Sequence, residues 1–298
     1  MKNKISTMRK LQLFGFLFLL PAVCLVLFST IIPIAWNIVL SLNSWNGTTD
    51  MEFVGLANYM TVFSDKASMR AIGYSVIIAV TASITAMIIG VAMALLIYKV
   101  TKAEGAVYRF IFYSPVMLPL SVTGLLFTLV LATDTGLLNN LLALAGLENL
   151  QHAWLATKHL VLVVIGIVQG WRSSGTVMMI VFTGLVGLPA DLFESTRLDG
   201  ANYWDEVRFI ILPLLRPTIQ LVFSMTVMSA FKTYDIVYSM TGGGPGNIST
   251  TAPIKILNQA FIANKYGIAS ANSIIYAILV VAVLLIVRKG LGGEMYEY

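Results

Sequence analysis

Polar residues along this chain gather into short islands, and the stretches between them are apolar over lengths that match a membrane span. Six such stretches stand out, at about 11–40, 71–98, 110–132, 159–188, 209–231 and 271–287. Each is near the ~20 residues that an α-helix needs to cross a bilayer. The pattern predicts an all-α, polytopic membrane protein with six transmembrane helices, forming a single transmembrane domain over residues 1–298. Pro21 and Pro33 fall in the first stretch, Pro115 and Pro119 in the third. Kinks are expected there, because proline removes a backbone donor and membrane helices tolerate the loss. The fourth stretch is interrupted by Gly170-Trp171-Arg172-Ser173-Ser174-Gly175.

The longest charged island lies between the fourth and fifth stretches. Residues 191–217 read DLFESTRLDGANYWDEVRFIILPLLRP and carry eight charged side chains. The first half predicts a short helix over Ala190–Leu198. Pro189 suits a first helical position, where a missing N–H costs nothing. Asp191 and Glu194 lie early, near the positive end of the helix dipole, and Arg197 lies late. Gly200 offers the left-handed conformation that commonly ends a helix. A second helix is predicted from Tyr203, with Tyr203, Val207, Ile210 and Leu214 at helical spacing, and it is expected to run on into the fifth span.

Composition agrees with a lipid environment. Of the 298 residues 58% are hydrophobic and 11% charged, against about 25% charged in a typical soluble domain. Mean hydropathy is +0.85. The single cysteine, Cys24, excludes an internal disulfide framework. The net charge of +5 is what basic cytoplasmic loops produce, so no nucleic-acid partner is expected. Residues 1–10 carry Lys2, Lys4, Arg9 and Lys10. A signal peptide also starts this way, but its apolar core is only about 7–15 residues. The 11–40 stretch is far longer and reads as a retained first span.

Six spans put both termini on one side. That side holds twelve Lys and Arg, in the N-terminus, the 99–109 loop, the 191–217 island and the C-terminus; the other three loops hold six. The richer side should face the cytoplasm. Both termini and the charged island are therefore expected inside the cell, in a multi-pass protein of the plasma membrane.

Glu194-Ser195-Thr196-Arg197-Leu198-Asp199-Gly200-Ala201, with Phe209-Ile210-Ile211-Leu212-Pro213 downstream, resembles the EAA motif of permease subunits of binding-protein-dependent ABC importers. That pattern is Glu-Ala-Ala, three residues, Gly, then an apolar stretch ending in Leu-Pro. Ser195 and Thr196 stand where the family usually has two alanines. The resemblance implies the type I importer permease fold. It implies that residues 190–208 form cytoplasmic coupling helices docking into a cleft on an ATPase subunit, with Glu194, Ser195, Asp199, Gly200 and Ala201 as the coupling residues. It also implies the partners: a second permease of similar fold, two ATPase subunits, and an extracellular solute-binding protein. ATP-driven closure of the ATPase pair would swing the coupling helices and open the path outward. Phe53-Val54-Gly55-Leu56-Ala57-Asn58-Tyr59 resembles the GLxNY segment of carbohydrate-type permeases. Tyr234-Asp235-Ile236-Val237-Tyr238 with Thr241-Gly242-Gly243-Gly244-Pro245 resembles a stretch common in sugar-importer permeases. A sugar substrate is the implication.

The remaining candidates are weighed by their chemistry. Thr241–Asn247 is glycine-rich but lacks the Gly-Lys-Ser/Thr ending that contacts phosphate and magnesium, so it reads as a turn over the external mouth. No such motif occurs elsewhere in the chain, so no cofactor is expected on it; ATP and magnesium belong on the partner ATPase. His152 and His159 have no accompanying Cys or Glu set, which argues against a metal site. Ser173-Ser174 lacks a nucleophile-elbow pattern. Outside the 191–217 island, Arg172 is the only basic residue within an apolar stretch, where a cation costs on the order of 2.5–3.5 kcal/mol. Two roles are open for it. With Trp171 it lines the translocation path and hydrogen-bonds a polar ligand, or it pairs with carbonyls freed around Gly170 and Gly175. Gln169 and Asn272 likewise either line a polar path or bond between helices. The rival class is a secondary transporter or channel working without ATP, which predicts buried Asp or Glu for ion coupling. An intramembrane enzyme predicts a paired catalytic set within the spans, and no such pair is legible.

Overall fold

The computed structural model describes residues 2–48, 50–198 and 200–291. Among them the only strands form a two-residue antiparallel ladder, Asn43–Ser44 against Glu52–Phe53. Four helices are long and apolar enough to cross a membrane: Phe14–Ser41, Lys66–Tyr98, Leu160–Val186 and Tyr266–Gly290. Two pairs meet the same requirement only when each is taken as one span. Lys102–Met117 with Leu120–Val130 is bent by 96°, and Tyr203–Leu214 with Arg216–Phe231 by 69°.

The third and fifth apolar stretches are thus broken rather than kinked. Leu118 is driven to extended backbone, φ −72° and ψ 135°, as the residue before a proline tends to be. Pro119 then has no N–H with which to continue the ladder. In the fifth stretch Pro213 and Pro217 remove two donors within about one turn, and the break falls between them at Leu215. The predicted second helix therefore does not run straight into a span. The glycine-bounded interruption of the fourth stretch is one of composition only, because Leu160–Val186 is a single helix. Ahead of Pro33 the first span contains a π-helical turn, Leu27–Ile31.

The chain forms two compact units. One comprises the described residues up to Asp65 together with Ile256–Ile275. Here the GLxNY-like segment fastens the end of the first span. Asn58 Nδ2 donates to the carbonyls of Ser41 and Asn43, both at 2.9 Å, and the Tyr59 hydroxyl pairs with Ser41 Oγ at 2.7 Å. Asn272 is fully buried and donates from Nδ2 to Gln259 Oε1 at 2.8 Å, which is the interhelical role of the two offered by the sequence.

The second unit comprises Lys66–Lys255 and the described residues from Tyr276 on. Its centre is the Lys66–Tyr98 helix against Leu160–Val186. Ala71, Ala79, Ala82, Ala86, Gly90 and Ala94 make a buried small-residue stripe on the first. Backbone answers from the second: a Cβ on Gly90 would lie 2.7 Å from the Ser174 carbonyl oxygen, and one on Gly170 of the second helix 2.6 Å from that of Ala82. Helices in lipid have no hydrophobic drive toward each other, so close backbone approach through small residues is what gains contact.

Candidate functional site

The charged island folds as two short helices around a turn. Ala190–Leu198 is helical, and Gly200 adopts φ +79°. The Ala201 N–H donates to the Thr196 carbonyl at 3.1 Å, the six-to-one closure of a Schellman motif. The chain turns directly into a second cap. Asn202 Oδ1 accepts from the N–H of Trp204 at 2.9 Å and of Asp205 at 3.2 Å, and Asp205 Oδ2 accepts from the Asn202 N–H at 3.1 Å. This capping box starts the helix at Tyr203. An Asn followed three residues later by an acid is its signature, and the sequence reading missed it.

Burial follows Val207, Ile211 and Leu215, at 5%, 0% and 2% exposure, not the expected Ile210 and Leu214. Val207–Ile211 is a π-turn, with the Leu212 N–H bonded to the Val207 carbonyl. That wider turn delays the apolar stripe by one residue.

Glu194 is exposed, Phe193 on the same helix is buried, and Gly200 has nothing within 4 Å of where a Cβ would stand. Asp199 and the side chain of Ser195 lie outside the described residues. Trp204, beside the turn, is 70% exposed; nothing in its spacing singles it out in the sequence. Tyr98, Lys99, Ala201, Tyr203 and Glu206 line a cleft of about 360 Å³ next to the turn. Lys99 Nζ stands 3.8 Å from the centroid of the Tyr203 ring, a cation–π contact.

Arg172 lies elsewhere in this unit, on the Leu160–Val186 helix. Its Nε donates to the Leu118 carbonyl at 3.1 Å, and Nη2 donates to Leu118 at 2.8 Å and Val116 at 3.0 Å. The carbonyls it satisfies are therefore those released where the Lys102–Met117 helix breaks, not those around Gly170 and Gly175. A cation at a helix C-terminus also complements the dipole. Trp171 meets the Phe127 ring edge-on at 5.3 Å. Arg172 is half-buried, and among the described residues Nη1 carries no hydrogen bond, which leaves those donors for another acceptor.

The fold is shared with a bacterial ABC transporter involved in the import of the acidic polysaccharide alginate. The TM-score is 0.81 at 20% identity, covering 98% of both chains. A second structure of an alginate ABC transporter, in complex with an alginate pentasaccharide-bound periplasmic protein, matches at TM-score 0.81 and 19% identity over 95% of both chains. The fold is thus the type I importer fold, here in a chain with several helices long and apolar enough to cross a membrane. The chain belongs to the family described as "Binding-protein-dependent transport system inner membrane component", whose model matches residues 86–289.

Among its relatives is a probable ABC transporter permease protein, YurN, of Bacillus subtilis, 31% identical over 93% of this chain and 96% of that one. The trehalose/maltose transport system permease protein MalF of Thermococcus litoralis is 30% identical over 92% of each. A probable starch degradation products transport system permease protein, AmyD, of Thermoanaerobacterium thermosulfurigenes is 26% identical over 91% of each. The protein is accordingly a transport component rather than a catalytic subunit.

Proposed function

We propose that this chain is the membrane-spanning permease subunit of an ATP-driven importer for a sugar or oligosaccharide. A solute-binding protein delivers the substrate from outside. The chain pairs with a second permease, and two ATPase subunits supply ATP and magnesium. Both termini and the 190–208 segment face the cytoplasm. The sugar assignment draws its support from the relatives named for trehalose/maltose and starch products and from the Tyr234–Pro245 pattern.

The observation that carries the coupling role is the Gly200 turn. An exposed Glu194 precedes it, and capped helices stand on both sides. A site of this shape can seat in another protein's cleft without unfolding. Glu194, Ser195, Asp199, Gly200 and Ala201 are the docking residues in this reading, and Trp171 with Arg172 borders the path.

Gly200→Val tests it. A β-branched residue at φ +79° costs roughly 1–2 kcal/mol and adds bulk to an otherwise open turn. The variant should insert normally while losing ATPase subunits or transport-coupled ATP hydrolysis. A cysteine at Ser195 should cross-link to one on the ATPase. Wild-type uptake in Gly200→Val, with no cross-link from position 195, would remove the docking assignment and favour an ATP-independent carrier.

A further inference from the structure

We infer that Tyr203 is a positioning residue that ties the docking segment to the end of the Lys66–Tyr98 helix, so that movement of the segment reaches the membrane. This rests on the docking role given above to residues 190–208.

A helix leaves its last carbonyls without intrahelical partners. The Leu95 carbonyl is among them: beyond it the Lys99 N–H bonds to Leu96 and the Val100 N–H to Ile97. The Tyr203 hydroxyl fills the vacancy, donating to the Leu95 oxygen at 2.6 Å. Lys99 then lays its ammonium over the face of the same ring. Tyr203 is thereby gripped at its hydroxyl and at its face by residues four apart on one helix end.

The other arm of the segment reaches that end too. Phe193, 5% exposed, packs against Tyr98 with ring centroids 5.9 Å apart. Between the arms, a Cβ on Gly200 would meet nothing within 4 Å. A load applied at the turn therefore passes through the two aromatic anchors. The helix receiving it is held to Leu160–Val186 by backbone contacts too close for a single added carbon, and elements packed that tightly transmit strain rather than absorb it.

The test uses the assembled complex purified through a tag on this chain, with Tyr203→Phe and Lys99→Met. Tyr203→Phe removes one hydroxyl and keeps the ring. Lys99→Met removes an exposed charge and keeps the length. ATPase subunits accompanying the wild-type chain test the docking role itself; their absence there would fail that reading separately. Given docking, Tyr203→Phe should retain the ATPase at wild-type level while uptake per ATP hydrolysed falls several-fold. Lys99→Met should show a smaller fall in the same ratio. A wild-type ratio in both variants would overturn the inference. So would loss of the ATPase from Tyr203→Phe, which would make the tyrosine part of the dock rather than of the transmission.

Discussion

Two spans of this protein are broken, and they are held in different ways. The bend between Met117 and Leu120 is 96° and the one at Leu215 is 69°. Both are made by proline, and both abut the Leu160–Val186 helix at a glycine. At the first, the glycine meets backbone. A Cβ on Gly175 would stand 2.7 Å from the Phe112 carbonyl oxygen and 3.1 Å from Tyr113 Cα. At the second it meets side-chain tips, for a Cβ on Gly184 would stand 3.1 Å from Leu215 Cδ2 and 3.2 Å from the Thr218 side-chain tip atoms.

The freed polar groups are handled differently too. At the first bend a guanidinium reaches across from the neighbouring helix to the Val116 and Leu118 carbonyls. At the second the backbone closes on itself, with the Leu215 N–H bonded to Ile211 at 2.9 Å and the Ile219 N–H to Leu215 at 2.8 Å. The lesson is that proline sets where a helix breaks, but its neighbour sets how firmly the break is held. The first bend is pinned and the second is cushioned.

The sharpest way to break that contrast is Gly175→Leu. Backbone cannot step aside as a side chain can, so the two helices must separate or the bend must shift. Overpacking of this kind costs about 1–3 kcal/mol and occasionally more. The variant should lose most of its folded, monodisperse yield on extraction, or melt well below wild type. Wild-type yield and melting would show the first bend to be as soft as the second.

A smaller loss is expected from Arg172→Ala. It leaves two carbonyls without partners, and each unsatisfied buried group costs about 1–3 kcal/mol. Melting should fall, and uptake with it, while the complex still assembles. Arg172→Lys should recover only part, because an ammonium cannot present the planar fork that spans two carbonyls. Normal melting with impaired uptake would instead assign the arginine wholly to the path.

The smallest effect belongs to Gly184→Ala. Leu215 and Thr218 need give only a few tenths of an ångström, and alanine recovers roughly 0.5–1 kcal/mol of helix entropy relative to glycine. Stability should stay within about 0.5 kcal/mol of wild type, measured by the same melting assay. A drop as large as that of Gly175→Leu would make the second bend rigid as well.

Much of this arrangement is legible in the sequence, for reasons that are local. Apolar run length located six stretches, of which four are single spanning helices and two are bent pairs, because lipid leaves helix as the way to satisfy a backbone. Pro189, the early acids and Gly200 located the Ala190–Leu198 helix and its left-handed turn, since caps and φ preferences act within a few residues. The Glu194–Ala201 pattern pointed to the family. What stayed hidden depends on distant neighbours. Whether Pro119 would kink or break its helix turned on Arg172, more than fifty positions away along the chain, whose fork donates to the freed carbonyls. The register of the buried stripe after Val207 turned on a π-turn that no 3.6-residue template contains. The role of Tyr203 turned on an orphan carbonyl at Leu95, 108 residues upstream. Periodicity and capping are properties of a segment and can be read from it. Which carbonyl lacks a partner, and which side chain arrives to supply one, exists only once the segments have packed.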